Sequence, residues 1–307
     1  MFYPKLLYPV TEGWTDIMLN LVLPKGSLQE QTMKLFKAAD LPIKKAARAY
    51  NPKIDDPRIN SVKMLRAQEI PKFIEEGYFD LGITGLDWIT ETGSEVVEIA
   101  DLPYSKQSAG GVKIVIAVPN DSGINKPEDI KPGSKVTTEF MNLTKNYFKD
   151  LRIDVKVYYS YGATEAKVPD MMDVVVDLTE TGETLRKNNL KIIGVIMESS
   201  TKLITSKEAW NDPVKKKAID EITTLLLGVI EARGKVLIIL NVSESDLQGV
   251  IDLLPAMKRP TVSKLYNSDF YALETVVSKS EINTLIPQLK DKGAQDIIEL
   301  DIQKIVK

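Results

Sequence analysis

Val174-Val175-Val176-Asp177-Leu178-Thr179-Glu180-Thr181-Gly182-Glu183-Thr184-Leu185 runs from three β-branched residues into a hydroxyl-rich turn around one glycine. The valines read as a buried strand, and the residues after Gly182 read as the start of a helix. Strand, glycine turn and helix in succession is the repeating unit of an α/β protein. The same succession is also a physical recipe for holding a phosphate. Gly182 lets the backbone approach an anion, Thr179, Thr181 and Thr184 add hydroxyl donors, and the helix start directs N–H groups at it. Asp177, at the strand end, is suited to hold ribose hydroxyls or Mg²⁺. The letters Thr-x-x-Glu and Thr-Gly are equally common at capped helix starts, and spacing alone does not choose between the two readings.

Working outward, the grammar repeats. Residues 17–23 read as a strand, 24–27 as a Pro-Lys-Gly-Ser turn and 28–39 as a helix. Residues 66–76 read as a helix with Pro71 near its first turn, and 79–85 as a short buried strand ending in a glycine turn. Further on, 112–118 is almost wholly β-branched, 136–138 and 153–159 are strand candidates, and 142–150 is helical. Alternating strands and helices predict a parallel α/β sheet in each of two lobes, with a cleft between them. The lobes are expected at 1–105 plus 191–215, and at 106–190. Residues 208–233 read as one helix, partly a linker. From 235 to 300 the order is strand, helix, strand, strand, helix, strand, the ferredoxin-like βαββαβ arrangement, so that 216–307 forms a linker helix and a separate domain. That last unit shows no catalytic constellation and is better suited to an effector or a partner subunit.

The chain has 307 residues, long for one domain, with ordinary hydrophobic and charged content. Forty basic residues against 43 acidic ones leave a net charge of -3, which does not describe a nucleic-acid surface. There is no cysteine and no histidine. That composition excludes disulfides, thiol nucleophiles, histidine dyads and every metal site built from Cys or His. It leaves Mg²⁺ on carboxylates and substrate phosphates, with catalysis by positioning and electrostatics. Pro4, Pro9, Glu12 and Gly13 interrupt the N-terminal apolar residues, and no apolar run is long enough for a membrane span, so the cytoplasm is expected.

Several motifs, in order along most of the chain, resemble the ATP phosphoribosyltransferases of histidine biosynthesis. Asp177-Leu178-Thr179-Glu180-Thr181-Gly182-Glu183-Thr184-Leu185 resembles their phosphoribosyl-pyrophosphate loop. Leu23-Pro24-Lys25-Gly26-Ser27-Leu28 resembles the N-terminal K-G-R-L segment, and Arg66-Ala67-Gln68-Glu69-Ile70-Pro71 with Asp80-Leu81-Gly82-Ile83-Thr84-Gly85 resembles R-x-x-D-I-P…D-L-G-I-x-G. Gly162-Ala163-Thr164-Glu165 resembles G-S-V-E, and Glu198-Ser199-Ser200-Thr201-Lys202-Leu203-Ile204 resembles the segment returning to the first lobe. Leu254-Pro255 and Arg259-Pro260-Thr261-Val262-Ser263 resemble the signature of the long form's regulatory domain. Ser27, where many members have Arg, and Glu69, where Asp is commoner, depart from the pattern.

The resemblance implies a two-lobed periplasmic-binding-protein-like catalytic part with an ACT-like domain behind it. It implies transfer of phosphoribosyl from phosphoribosyl pyrophosphate to N1 of ATP, with release of pyrophosphate and a requirement for Mg²⁺. The substrate loop would be Thr179, Glu180, Thr181, Gly182, Glu183 and Thr184, with Asp177 and Glu165 on the ribose or on Mg²⁺. Lys25, Gly26, Arg48, Arg66 and Asp87 would face them from the other lobe, near ATP or pyrophosphate. For Arg48, Arg66 and Asp87 an ordinary surface or interlobe ion pair is an equal alternative. Histidine as inhibitor would meet Asn241, Thr261 and Asp296, although Thr261 also suits the start of an edge strand. A homo-oligomer with dimer and hexamer forms is implied. The competing reading is a two-lobed solute-binding protein without catalysis.

Overall fold

The computed structural model describes residues 18–44, 51–103, 111–255 and 259–307. The chain divides into two compact units, the first ending at Thr223 and the second made of Ala38–Asp40 with Thr224–Lys307. In chain order the first unit holds β1 (Leu19–Lys25), α1 (Gln29–Ala38), β2 (Ile59–Arg66), α2 (Ile70–Glu75), β3 (Leu81–Gly85), α3 (Leu86–Thr92) and β4 (Val97–Asp101). It continues with β5 (Val112–Pro119), β6 (Lys135–Thr138), α4 (Met141–Asp150), β7 (Lys156–Tyr159), β8 (Val174–Thr179), α5 (Glu183–Lys187), β9 (Leu190–Ser199), β10 (Thr201–Thr205) and α6 (Lys207–Asn211).

Two sheets build the two lobes. The order is β2-β1-β3-β10-β4 in the first and β7-β6-β8-β5-β9 in the second, the periplasmic-binding-protein arrangement that the resemblance implied. The sheets are mixed, and the expectation of parallel sheets is corrected here. β1 lies parallel to β2 and β3, and β6 parallel to β7 and β8, but β10 runs antiparallel to β3 and β4, and β5 antiparallel to β8 and β9. The cause is that the chain crosses between lobes twice, so each sheet receives strands arriving from the other side. The return crossing comes at Ser200, and β9 stays with the second sheet because it pairs along its length with β5.

Burial accounts for the strands. Leu19, Leu21, Val22 and Leu23 of β1 have no exposed surface, nor do Ile114, Ile116, Ala117 and Val118 of β5. Both strands sit inside their sheets, with cover on each face, which is why they read as continuous apolar runs. Residues 66–76 are not one helix. Arg66 completes β2, and the helix begins at Ile70, where Pro71 in the first turn lacks only an N–H that would have stayed unbonded. Gly82, in the middle of β3, is there for space. A Cβ at that position would lie 2.8 Å from Val22 Cγ1 and 3.1 Å from Ile70 and Ile74 side chains. Gly82→Ala is expected to destabilise the first unit by about 1–3 kcal/mol, read as a lowered denaturant midpoint with an unchanged slope.

The long helix expected at 208–233 is two helices. Pro213 breaks it, leaving α6 and then α7 (Pro213–Ala232). The first half of α7 belongs to the first unit, through Lys215 on Asp80 at 2.7 Å and Glu221 on Arg58 at 3.3 Å. The boundary between the two units therefore falls after Thr223, inside the helix.

The second unit contains β11 (Lys235–Ser243), α8 (Leu247–Ile251), β12 (Thr261–Lys264), β13 (Phe270–Ser278), α9 (Ile282–Asp291) and β14 (Gln295–Asp301). Its sheet order, β12-β13-β11-β14 with every pair antiparallel, is the ferredoxin-like one. Alternate residues of β11, Val236, Ile238, Leu240 and Val242, form one core with Val250 of α8 and with Leu285 and Leu289 of α9. Period two is the signature of a sheet covered on one face. Among the described residues, no helix is long and apolar enough to cross a membrane.

Candidate active site

The first lobe presents its site residues at the C-terminal ends of parallel strands. Lys25 closes β1 and Arg66 closes β2, and the two are register partners, so the two residues stand side by side at adjacent strand ends. Gly26, at φ +96°, then turns the chain, and its C=O accepts the Gln29 N–H at 3.1 Å as α1 starts. That left-handed backbone is the reason for glycine here. β3 ends in Gly85, and α3 begins with Asp87 folded back over it, where a Cβ on residue 85 would meet Asp87 Oδ1 at 2.0 Å.

Between the lobes lies a cavity of about 520 Å³. Lys25, Gly26, Ser27, Arg66, Asp87 and Trp88 line it from one side, and Glu139, Phe140, Glu165, Asp177 and Glu180 from the other. Charge is thus divided across the cleft, with two cations and the buried Asp87 on the first lobe and four carboxylates on the second. Trp88 and Phe140 close one wall as a stacked pair with centroids 4.6 Å apart.

Burial pushes the Asp177 carboxyl up to about 6, against the Leu178 N–H that it accepts, and the neighbouring Glu165 and Glu139 raise it further while Lys167 opposes them. Like charges around a half-buried carboxylate make a site that favours a cation or a proton. Asp87 is buried too, and desolvation raises its pKa although the Ser199 hydroxyl hydrogen bond works the other way. Ser199 Oγ donates to Asp87 Oδ1 at 2.5 Å and accepts the Asp87 N–H at 3.0 Å. With Leu86 N–H donating to the Ser200 C=O at 2.9 Å, α3 is tied to the return crossing between β9 and β10.

The structure brings Lys25, Gly26, Arg66, Asp87, Glu165, Asp177 and Glu180 to one cleft. Thr179, Thr181, Gly182, Glu183 and Thr184 form the adjoining turn and are not among the lining residues. Gly182 has φ +71°, its N–H donates to Thr179 Oγ1 at 2.9 Å, and Arg186 donates to the Thr181 C=O at 3.0 Å. Glu183 is paired with Lys187 at 2.7 Å, while Thr181 and Thr184 expose their side chains. The turn is thus capped from within, and its two outer hydroxyl groups stay accessible. Arg48 lies outside the described residues. In the second unit Asn241 donates to Asp296 at 3.0 Å, and Thr261 lies two strands away on the same face of the sheet, two residues along in register.

Sequence reasoning missed Trp88, Glu139 and Phe140 as wall residues. Trp88 follows the matched Gly85 by one helical turn, which was the available signal. Phe140 had none, because it meets Trp88 only through the pairing of the lobes. Ser199 stood within the matched Glu198–Ile204 stretch without an assigned role.

The family profile described as ATP phosphoribosyltransferase matches residues 66–228, and the one described as HisG, C-terminal domain, matches 232–304. The ATP phosphoribosyltransferase of Desulforudis audaxviator is 47% identical over 288 residues, covering 94% of this chain and 99% of that protein. That of Pelotomaculum thermopropionicum is 44% identical over 288 residues, with the same two coverages of 94% and 99%. A solved ATP phosphoribosyl transferase (HisG:HisZ) complex from Thermotoga maritima superposes with a TM-score of 0.60 at 25% identity, covering 70% of this chain and 99% of that one. Relatives this similar along nearly their whole length remove the reading as a binding protein without catalysis. The chain belongs to the ATP phosphoribosyltransferase family, the first enzymes of histidine biosynthesis, in the form that carries a C-terminal regulatory domain.

Proposed function

We propose that the interlobe cleft is where N1 of ATP is joined to C1 of the ribose, and that its divided charge sorts the substrates. In the transfer, the N1–C1 bond forms as the bond from C1 to the pyrophosphate oxygen breaks. C1 becomes oxocarbenium-like and negative charge grows on the leaving group. Lys25 and Arg66, side by side at two strand ends, are the cations that meet that charge. Asp177 and Glu165 take the ribose hydroxyl groups, and the turn from Thr179 through Glu180, Thr181, Gly182 and Glu183 to Thr184 takes the 5-phosphate. Asp87 keeps its place on the ATP side, where its bond to Ser199 orders the start of α3. No protein nucleophile is needed, in keeping with a chain without Cys or His. The opposition of two cations to four carboxylates across one cavity carries the reading.

Among the described residues, no three acidic side chains form a metal cage. Asp177, crowded by Glu165 and Glu139, offers one or two carboxylate oxygens. That donor set fits Mg²⁺, which keeps water and substrate oxygens as its other ligands. Bound there with the substrate, Mg²⁺ would supply charge neutralisation at the pyrophosphate. The enzyme is read as a cytoplasmic homo-oligomer, with dimer and hexamer forms.

Formation of the phosphoribosyl-ATP product, followed by ultraviolet absorbance with ATP, phosphoribosyl pyrophosphate and Mg²⁺ and with pyrophosphatase present, tests the chemistry. Absence of product from the folded protein would overturn it. Histidine is proposed to inhibit through the second unit, where Asp296 offers a carboxylate to its ammonium or imidazolium group and Asn241 and Thr261 flank it. Asp296→Asn is then expected to raise the half-inhibiting histidine concentration about tenfold, the loss of one charge-assisted hydrogen bond, without changing uninhibited turnover. An unaltered inhibition curve would place the effector elsewhere.

A further inference from the structure

We propose that Glu91 is a positioning residue for the transfer: it latches the first lobe to the second by capping α4 from α3, and so sets the Trp88–Phe140 wall of the cleft. α4 begins after Phe140, has no side-chain cap of its own and has no acidic residue in its first turn. Its leading N–H groups would otherwise be unbonded. Glu91, from the other lobe, supplies what is missing. Its Oε1 accepts the Asn142 N–H at 2.9 Å, and its Oε2 accepts the Leu143 N–H at 2.9 Å and the Asn142 N–H at 3.1 Å. The Asn142 side chain returns a bond from Nδ2 to the Glu91 C=O at 2.9 Å.

The arrangement is a helix cap delivered across an interlobe boundary, by a carboxylate only 8% exposed. A negative group at a helix N-terminus is favoured by the peptide dipoles as well as by the bonds. Glu91 and Trp88 are three residues apart on α3 and share a face. The capping contact and the Trp88–Phe140 stack are therefore one rigid patch, and Phe140 and Glu139 enter the cleft from the residues just before the capped turn. The chain passes between the lobes twice, between β4 and β5 and between β9 and β10. Beside the Asp87–Ser199 bond, which also joins α3 to β9, the cap adds a further attachment between the lobes on the cleft side, made without substrate. Both carboxylate oxygens are engaged with α4, so Glu91 acts through Phe140 and Glu139 rather than on a substrate.

The inference rests on the transferase activity, which the parent enzyme assayed alongside confirms or refutes separately. The experiment uses the full chain with Glu91→Ala, Glu91→Gln and Asn142→Ala. Amide hydrogen exchange is measured at Asn142 and Leu143, and kcat and KM are measured well below each variant's melting temperature. In the parent, these first-turn amides are expected to be protected, which helix starts ordinarily are not. In Glu91→Ala their exchange rises about 100-fold and kcat falls about tenfold, the scale of a small misplacement at a reacting centre. KM is expected to change by less than about threefold, since substrate contacts remain. Glu91→Gln keeps an acceptor and recovers part of both effects. Fast exchange of the two amides in the parent overturns the latch. Parental kcat and KM in folded Glu91→Ala overturn the positioning role. If Glu91→Ala does not fold, Glu91→Gln and Asn142→Ala decide by the same two readouts.

Discussion

Asp177→Asn is expected to give a protein more stable than the parent at pH 7 and almost inactive. In the fold, burial first and then Glu165 and Glu139 hold this carboxyl at about 6, against 3.8 for a free aspartate. Between those values the folded protein keeps a proton that the unfolded chain has released. The stability gained from the neutral side chain is therefore full below about 3.8 and is lost as pH rises through about 6. At pH 7 the parent carries a half-buried charge that costs about 1–2 kcal/mol, allowing for solvent in the cleft. Asparagine has the same shape and no charge. Its melting temperature should exceed the parent's by a few degrees at pH 7, and the difference should vanish near pH 4. Activity should fall about 100- to 1000-fold, because the charge that destabilises the fold is the one that meets the ribose or its Mg²⁺. In the parent, kcat/KM should decline on the acid side of about 6, and that limb should be absent from the variant's residual activity. Calorimetry across pH and a pH–rate profile check the two halves independently. A destabilised variant would contradict the burial argument, and an active one would remove Asp177 from the site.

Thr181→Val with Thr184→Val is expected to weaken phosphoribosyl-pyrophosphate binding about 100-fold while leaving the fold intact. Both residues are exposed; the Thr181 hydroxyl accepts only the Glu183 N–H, at a long 3.4 Å, and the turn's shorter closing bonds come from Thr179 and Arg186. A hydrogen bond to a charged phosphate is worth about 1.5–3 kcal/mol, so losing two of the weaker kind costs about 3 kcal/mol, or roughly 100-fold. Valine preserves volume and branching, and melting should shift by no more than about 0.5 kcal/mol equivalent. Binding measured by calorimetry, with ATP affinity as the control, reads the result. Unchanged affinity in the double variant would mean that the phosphate is held elsewhere in the cleft.

Much of the fold was legible where the local pattern is strong. Residues 112–118 and 174–176 announce central strands because nearly every position is buried and β-branched. β11, β13 and α9 announce themselves by periods of two and of 3.6. Other elements were missed for a common reason. Val97–Asp101 alternates weakly and is only half-buried, and Thr201–Thr205 carries Thr and Lys, so neither shows a period of its own. Both become strands because β10, returning from the second lobe, inserts between β3 and β4. Likewise Leu190–Ser199, with exposed Ile192 and Val195, has no clean pattern and is held by pairing with β5. The break at Pro213 is written in the chain, where the helical residues on either side of it mask the signal.

The sequence by itself determined the family, the apolar strands at 112–118 and 174–176 and the ferredoxin-like unit. These are local patterns, or motifs whose meaning lies in residue type and order. Only the tertiary structure decided strand direction, the pairing of Lys25 with Arg66, the raised pKa of Asp177, the Asp87–Ser199 bond and the capping of α4 by Glu91. The physical reason is the same for each. Asp87 and Ser199 are 112 residues apart and Glu91 and Leu143 are 52 apart, and burial or charge acting over such separations exists only after the two lobes have closed on one cleft.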